Sequence, residues 1–490
     1  MSLRAQSLAG AALMLSACAA VGPDYAVPEP TAIERIETFP SAQSATTALN
    51  TGEPVAAWWR QFGDADLDAL IERASEANFD LRIAAANVAA ASAALREIDA
   101  RRVPAIDING EVEEQRQASA LVQQLDPEQR LSTTTSGSFS ADLTWEIDLF
   151  GRVRRSIEAA AADLGSAEAL RRGVMVSVLA DVARTYVDLR GAQRRLDVAE
   201  RNTSVQRQTL ELVELLYQDG AATQLDVARA NTQLLSSEAT IPRLQAAAVV
   251  AKNALTTLTA QPLGALDAML STRQPLPTLP EFTAVGEPAD LIRRRPDIQA
   301  AERVLAGAAA RIGVATADLF PTVSFGGSVG AGAAPMSGFT APGAAFFSLG
   351  PSLTWNLFDR GAIYARIRQA DSAAAANLVR YERTVTAALE EVDSAISRYS
   401  NERLRFARLL EARESSHEAS VLARLRYREG VEDFLTVLDA ERNLLEIEDL
   451  LALSEIAVMQ NLITIYLALG GGGEVSEGPA YTPYTEIVAP

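Results

Sequence analysis

Few side chains in this chain could do chemistry. His417 is the only imidazole and Cys18 the only thiol. No disulfide can form within one chain, and no Cys/His cluster can hold a metal. Histidine general-base catalysis would rest on His417 alone, in Glu414-Ser415-Ser416-His417-Glu418, a charged run that reads as a solvated helix face. No phosphate-binding loop, GxSxG elbow or HExxH pair occurs. No catalytic residue, cofactor or metal is therefore expected. The formal net charge of -19 leaves no basic surplus for phosphates, which argues against a nucleic-acid partner. What remains is carboxylate. Asp219, Asp226, Glu429, Glu432, Asp433 and Asp439 gather around two glycines, Gly220 and Gly430. Carboxylates brought together favour cations and raise one another's pKa values; kept apart, they only solvate a surface.

The elements that position these acids come in duplicate. Asp80 to Pro104 matches Asp297 to Pro321 at an offset of 217, and Leu143-Thr144-Trp145 matches Leu353-Thr354-Trp355 at 210. Tyr217, Gly220, Leu225, Val227, Ala230, Leu234 and Leu235 return at 210 as Tyr427, Gly430, Leu435, Val437, Ala440, Leu444 and Leu445. Each half reads helix, strand, strand, helix, helix. An Ala-rich helix over about 65–101, and again over about 288–318, runs to a proline at 104 and 321 that turns the chain extended. Two proline-free stretches, about 152–218 and 361–428, predict rods on the order of 100 Å. Tight turns at Gly220 and Gly430 then reverse the chain, and Pro242 should kink or divide the first return helix.

The strands alternate. Ile106, Ile108, Gly110 and Val112 lie opposite Asp107, Asn109, Glu111 and Glu113; Phe139, Ala141, Leu143, Trp145 and Ile147 lie opposite Ser138, Ser140, Asp142, Thr144 and Glu146. The second half repeats this with Val323, Phe325 and Val329, then Phe347, Leu349, Leu353 and Trp355. Such strands suit a sandwich with one wet face, or a membrane barrel. Four strands cannot close a barrel, since the smallest have about eight, so a spanning reading requires several copies. Three copies would supply about twelve strands. Trp145 and Trp355, near strand ends, would then be interfacial aromatics. Helices of rod length tip the balance towards a pore continued by a helical tunnel.

The start of the chain is an address. Arg4, an apolar run from Ala9 to Leu15 and Leu15-Ser16-Ala17-Cys18 outline a signal peptide too short to span. The last four residues resemble a bacterial lipobox with Cys18 as the lipidated residue. Ala19, and not Asp, follows it, which by that resemblance directs the product to the outer membrane.

Four stretches carry a wider resemblance: Val21-Gly22-Pro23-Asp24-Tyr25; Arg294-Arg295-Pro296-Asp297-Ile298-Gln299-Ala300-Ala301-Glu302; Leu319-Phe320-Pro321 running into Gly326 and Gly330; and Tyr427 to Leu445. The chain resembles outer-membrane efflux lipoproteins of the TolC superfamily, in the OprM/NodT-like branch. The resemblance implies a mixed, mainly α chain whose four strands join a trimeric 12-stranded transmembrane β-barrel continued by a long α-helical periplasmic barrel. Its division would be 1–17 signal peptide, 18–60 lipid-anchored equatorial segment, 61–262 first repeat, 263–287 linker, 288–469 second repeat and 470–490 tail. It further implies a homotrimer in the outer membrane, working with a periplasmic adaptor and an inner-membrane pump of RND type. Asp226, Asp439, Glu432 and Asp433 are expected at a periplasmic gate; where some members carry Asp, this chain has Thr436. Gly220, Ala221, Gly430 and Val431 are expected at the adaptor-docking tip. The readings that compete are a duct for secreted protein or oligosaccharide, and a lipid-anchored periplasmic scaffold that does not span.

Overall fold

A computed structural model describes residues 20–28, 39–41, 49–50, 56–116, 133–280, 283–284, 289, 294–473 and 476–483. The Cys18 expectation and the signal peptide lie outside the described residues. In chain order the main elements are α1 (Ala65–Ala77), α2 (Phe79–Asp99), β1 (Ala105–Arg116), β2 (Thr133–Ile147), α3 (Arg152–Gln218), α4 (Gln224–Glu238) and α5 (Thr240–Leu258). The second half supplies α6 (Pro296–Ala317), β3 (Thr322–Ala333), β4 (Ala345–Thr354), α7 (Arg360–Arg428) and α8 (Phe434–Ala468). The expected plan is present, with one correction. The helix expected over 65–101 breaks at Asn78, whose Oδ1 accepts the amides of Asp80 and Leu81 and so starts a second helix. Of the helix expected over about 288–318, Pro296–Ala317 is described, with Pro296 in its first turn, where a fixed φ suits it; residues 290–293 lie outside the described residues. Pro242 divides the first return helix: α4 ends at Glu238 and α5 starts at Thr240, whereas α8 runs unbroken for 35 residues.

The chain forms two compact units. One comprises residues 1–28, 90–166 and 302–380. Its centre is an antiparallel sheet in the order β1-β2-β3-β4. The register places Asp107 beside Asp142, Asp142 beside Ser328 and Ser328 beside Ser348, so one face is mostly polar, with Phe346 beside Gly330 at its end. Asn109 Nδ2 donates to Asp142 Oδ2 at 2.8 Å, and Ser140 Oγ does the same. The other face is apolar and bare: Ile108 is 70% exposed, Leu349 68% and Phe347 84%. Among the described residues nothing packs over that face, and the outer edges of β1 and β4 pair with no strand. A sandwich needs a second layer, and the described residues supply none.

The same unit seats the chain's N-terminal segment. Val21 N donates to Phe150 O at 3.0 Å. The buried Arg155 donates to Val21 O at 3.1 Å and to Asp24 at 2.7 Å, and Tyr25 Oη donates to Glu302 at 2.7 Å. Gly22, at φ 91°, lies so close to Gly313 that a Cβ would fall 2.4 Å from its Cα. That contact leaves no room for a side chain at Gly22. Repeat-related indoles brace the strands: Trp145 Nε1 donates to Arg102 O and Trp355 Nε1 to Leu319 O, each at 3.1 Å.

The second unit comprises residues 29–89, 167–301 and 381–490. Its core gathers Trp58, Trp59, Phe62, Leu70, Tyr186, Val392, Leu462 and Tyr466, with Trp58 stacked on Tyr466 at 5.0 Å between ring centres. The apolar end of α8 is long enough to span a bilayer by composition, yet Val458, Leu462, Ile463 and Ile465 are buried here, so it is a core helix. Arg190, fully buried, donates to Asp66 at 2.7 Å and to Tyr186 Oη at 3.0 Å, tying α1 to α3. Arg295 bridges Asp297 and Glu391 at 2.8 Å each and reaches Ala468 O, so the Arg294 to Glu302 stretch is a structural lock.

Candidate functional site at the hairpin tips

Each rod ends in a turn built the same way. Gly220 and Gly430 take φ 75° and 73°, the left-handed conformation that closes a helix C-terminus. Ala221 N then reaches Leu216 O at 2.7 Å and Val431 N reaches Arg426 O at 2.9 Å. A side chain at either glycine would meet nothing within 4 Å, so the backbone alone demands glycine there. Leu215, Leu225 and Ala221 on the first tip, and Leu425, Leu435 and Val431 on the second, stay exposed at repeat-equivalent places.

The return helices start on caps that exchange partners between the repeats. In the first, Thr223 is the N-cap and Asp226 the N3 residue; Asp226 Oδ2 accepts Thr223 N at 3.0 Å and Thr223 Oγ1 at 2.6 Å. In the second, Asp433 is the N-cap; its Oδ1 accepts both Thr436 N and Thr436 Oγ1 at 3.0 Å. Each tip therefore keeps one carboxylate and one threonine, with the positions swapped. Thr436, which stands where an acid is expected by resemblance, is the partner of a carboxylate three residues away. The Thr436 amide, then its hydroxyl, holds the Asp433 carboxyl below the usual aspartate range.

The remaining expected acids are not alike. Glu432 pairs with Arg426 at 3.0 Å. Asp226 lies 3.8 Å from Arg229. Asp439 is exposed and has no partner among the described residues, as is the case for Asp219 and Glu429. His417 lies on an exposed helix face.

Sequence reasoning missed the apolar plug behind these acids. Val213 and Ala230 pack with Ala423, Tyr427, Phe434 and Val437. Tyr427 tilts against Phe434 at 5.6 Å, and burial, helped by the Asp226 charge, pushes its hydroxyl pKa up. Its repeat mate Tyr217 is exposed. The available signal was Phe434 standing where the first repeat has Gln224. Between the tips lies a groove of about 620 Å³ lined by Leu216, Asp226, Arg229, Tyr427, Glu432 and Asp433, among others.

Comparison with known proteins places this architecture. The family described as "Outer membrane efflux protein" matches residues 70–261 and 288–471. Nodulation protein T of Rhizobium leguminosarum bv. trifolii is 31% identical over 88% of this chain and 90% of its own length. Toluene efflux pump outer membrane protein TtgC of Pseudomonas putida is 30% identical over 97% of this chain and 96% of its own. The solved structure of the outer-membrane channel OprN is similar at a TM-score of 0.84 and 36% identity, covering 92% of this chain and 99% of that one. The chain belongs to the outer membrane efflux protein family.

Proposed function

We propose that this member of the outer membrane efflux protein family is the passive duct of a tripartite efflux assembly. Three copies close a barrel of about twelve strands, and the paired rods carry its lumen into the periplasm. Supporting this reading most directly is the sheet with a bare apolar face, a polar opposite face and two open edges. Trp145 and Trp355 stand at the membrane interface. Cys18 carries the lipid anchor in the outer membrane. No catalytic step belongs to the chain.

Asp226, Asp439, Glu432 and Asp433 form the periplasmic gate, with Asp439 supplying the cation-facing ring in the trimer. A periplasmic adaptor docks on the tips around Gly220, Ala221, Gly430 and Val431 and connects the duct to an inner-membrane pump of RND type. Because both tips expose apolar residues at repeat-equivalent places, a trimer offers that adaptor two related surfaces per copy. Purified protein should run as a heat-modifiable trimer and conduct ions in planar bilayers. A soluble monomer without conductance would instead support the non-spanning scaffold. Asp226→Ala with Asp439→Ala should raise single-channel conductance and abolish block by multivalent cations. Cysteines at 221 and 431 should crosslink to the adaptor in the folded trimer.

A further inference from the structure

The two strand hairpins are copies of one another, and they part company sharply at one pair. In β1–β2 the register sets Glu113 beside Ser136; in β3–β4 it sets Gly330 beside Phe346. Glu113 and Gly330 are repeat mates at the offset of 217, and Ser136 and Phe346 at the offset of 210. All four lie on the mostly polar face. The larger side chain has moved to the other strand of the pair, and a carboxylate in one hairpin answers to a phenyl in the other.

The fold does not ask for that phenyl, since Ser136 fills the same place in the first hairpin. Among the described strand residues Phe346 is the one aromatic on its face, and it is 43% exposed. What the ring has is a seat. A Cβ on Gly330 would fall 2.9 Å from Phe346 Cζ, and one on Gly332 would fall 3.8 Å from its Cε1. In β1 the mates of these glycines are Glu113 and Gln115. The second hairpin has therefore lost side chains from β3 where the ring leans across it. No lysine or arginine stands on this face among the described strand residues, whereas Asp107, Glu111, Glu113, Asp142 and Glu146 do.

Both pairs stand at one height. The indole braces are repeat-equivalent, because Arg102 and Leu319, which accept from Trp145 and Trp355, are themselves mates. Ser136 is nine residues from Trp145, and Phe346 nine from Trp355. That is about 30 Å of strand. At a barrel tilt of about 40° it reaches the outer end of an apolar band about 25 Å tall. Tilted strands make hydrogen-bonded neighbours climb the axis, whereas equivalent residues of repeated hairpins share a level.

We propose that every copy contributes one Glu113 carboxylate and one Phe346 ring to a single level near the outer mouth of the pore. Alternating around the wall, they form a contact site for amphiphilic organic cations on their way out. The phenyl takes the aromatic part or the cation itself, and the carboxylates on either side take the charge. Neither hairpin holds both groups at that level, so the ring is complete only where copies meet. This rests on the reading of the sheet as part of a shared barrel and adds a cargo class that the wall itself discriminates.

The test uses full-length trimer in planar bilayers, with tetraphenylphosphonium and tetramethylammonium as monovalent probes. Tetraphenylphosphonium should interrupt the parent's current at a concentration about tenfold lower than tetramethylammonium does. Phe346→Ser, which copies the first hairpin, should weaken tetraphenylphosphonium block about fivefold and leave tetramethylammonium block unchanged. Glu113→Gln should weaken block by both. Tetraphenylborate, of the same shape and opposite charge, should block the parent less than tetraphenylphosphonium. Heat-modifiable mobility shows whether the serine variant assembles. Phe346→Leu, closer in volume, covers the case in which it does not, and should weaken tetraphenylphosphonium block about twofold. Tetraphenylphosphonium block equal to the parent's in the assembled Phe346 variant would overturn the site while the barrel stands, and so would stronger block by tetraphenylborate. A parent that carries no current would overturn the barrel reading and the site with it.

Discussion

The two hairpin tips share a backbone and differ in what fills them. Both close on a left-handed glycine, and both start the return helix on a threonine–carboxylate cap. The second tip brings its own apolar plug in Tyr427 and Phe434; the first has an exposed Tyr217 and Gln224 at the matching places and contributes Val213 and Ala230 to its neighbour's cluster. The first return helix is broken at Ala239, the second is continuous. Backbone geometry is set by a few obligatory residues and survives duplication. The packing face was then divided between the copies, one becoming anchor and the other support.

The largest test of that division is Phe434→Ala. Emptying a 3% exposed ring site costs about 3–5 kcal/mol in comparable cores. Amide exchange at the second tip should quicken by about two decades or more. The mate Gln224→Ala should shift it by less than about 0.5 kcal/mol, and a comparable loss there would break the asymmetry. Next come Gly220→Ala and Gly430→Ala. Each forces a side chain into the left-handed region for about 1–2 kcal/mol. The two costs should agree, since space is open around both; unequal losses in tip protection would show the turns are not equivalent. Thr223→Ala removes one cap for about 1 kcal/mol and should fray α4 while leaving α8 unchanged by exchange.

The smallest effect is a difference in pH response along α8. The Asp433 carboxyl lies below its ordinary range, so the cap it makes is intact above that range and is lost as pH falls through the lowered value. Burial, against the opposing pull of Thr209 and Arg424, raises the Glu441 carboxyl above its ordinary range. Its contribution is therefore complete below that range and is lost as pH rises through the raised value. Acid should loosen the first turn of α8 and tighten the packing at Glu441 further along. Exchange measured against pH, with Asp433→Asn and Glu441→Gln as references, would show two slopes of opposite sign; slopes of one sign would refute the assignment.

Much of this plan was legible from periodicity. The strands alternate over enough residues to fix their faces, and rods without proline announce their length. The tip glycines stand at matching places in both repeats. The break at Asn78 was not legible, because a single polar residue in an apolar-periodic stretch is tolerated by a helix until its side chain finds the next amides. Glu441 lies in Asp439-Ala440-Glu441-Arg442, which reads as a wet surface. Only the facing rods show that one of its two acids is buried. Arg155 was equally hidden: its neighbourhood shows Glu158 but not the partners that residues more than 130 positions earlier supply. The cap exchange was visible as two swapped letters, but its meaning needed the hydrogen bonds.

The unpaired margins of β1 and β4 have a consequence for biogenesis. A freshly exported copy carries two long, sticky borders beside an oily face. Until sister chains cover them, each copy risks joining the wrong neighbour. Substitutions that slow encounter between copies should therefore appear first as degraded or precipitated material, and the few molecules that do mature should conduct normally.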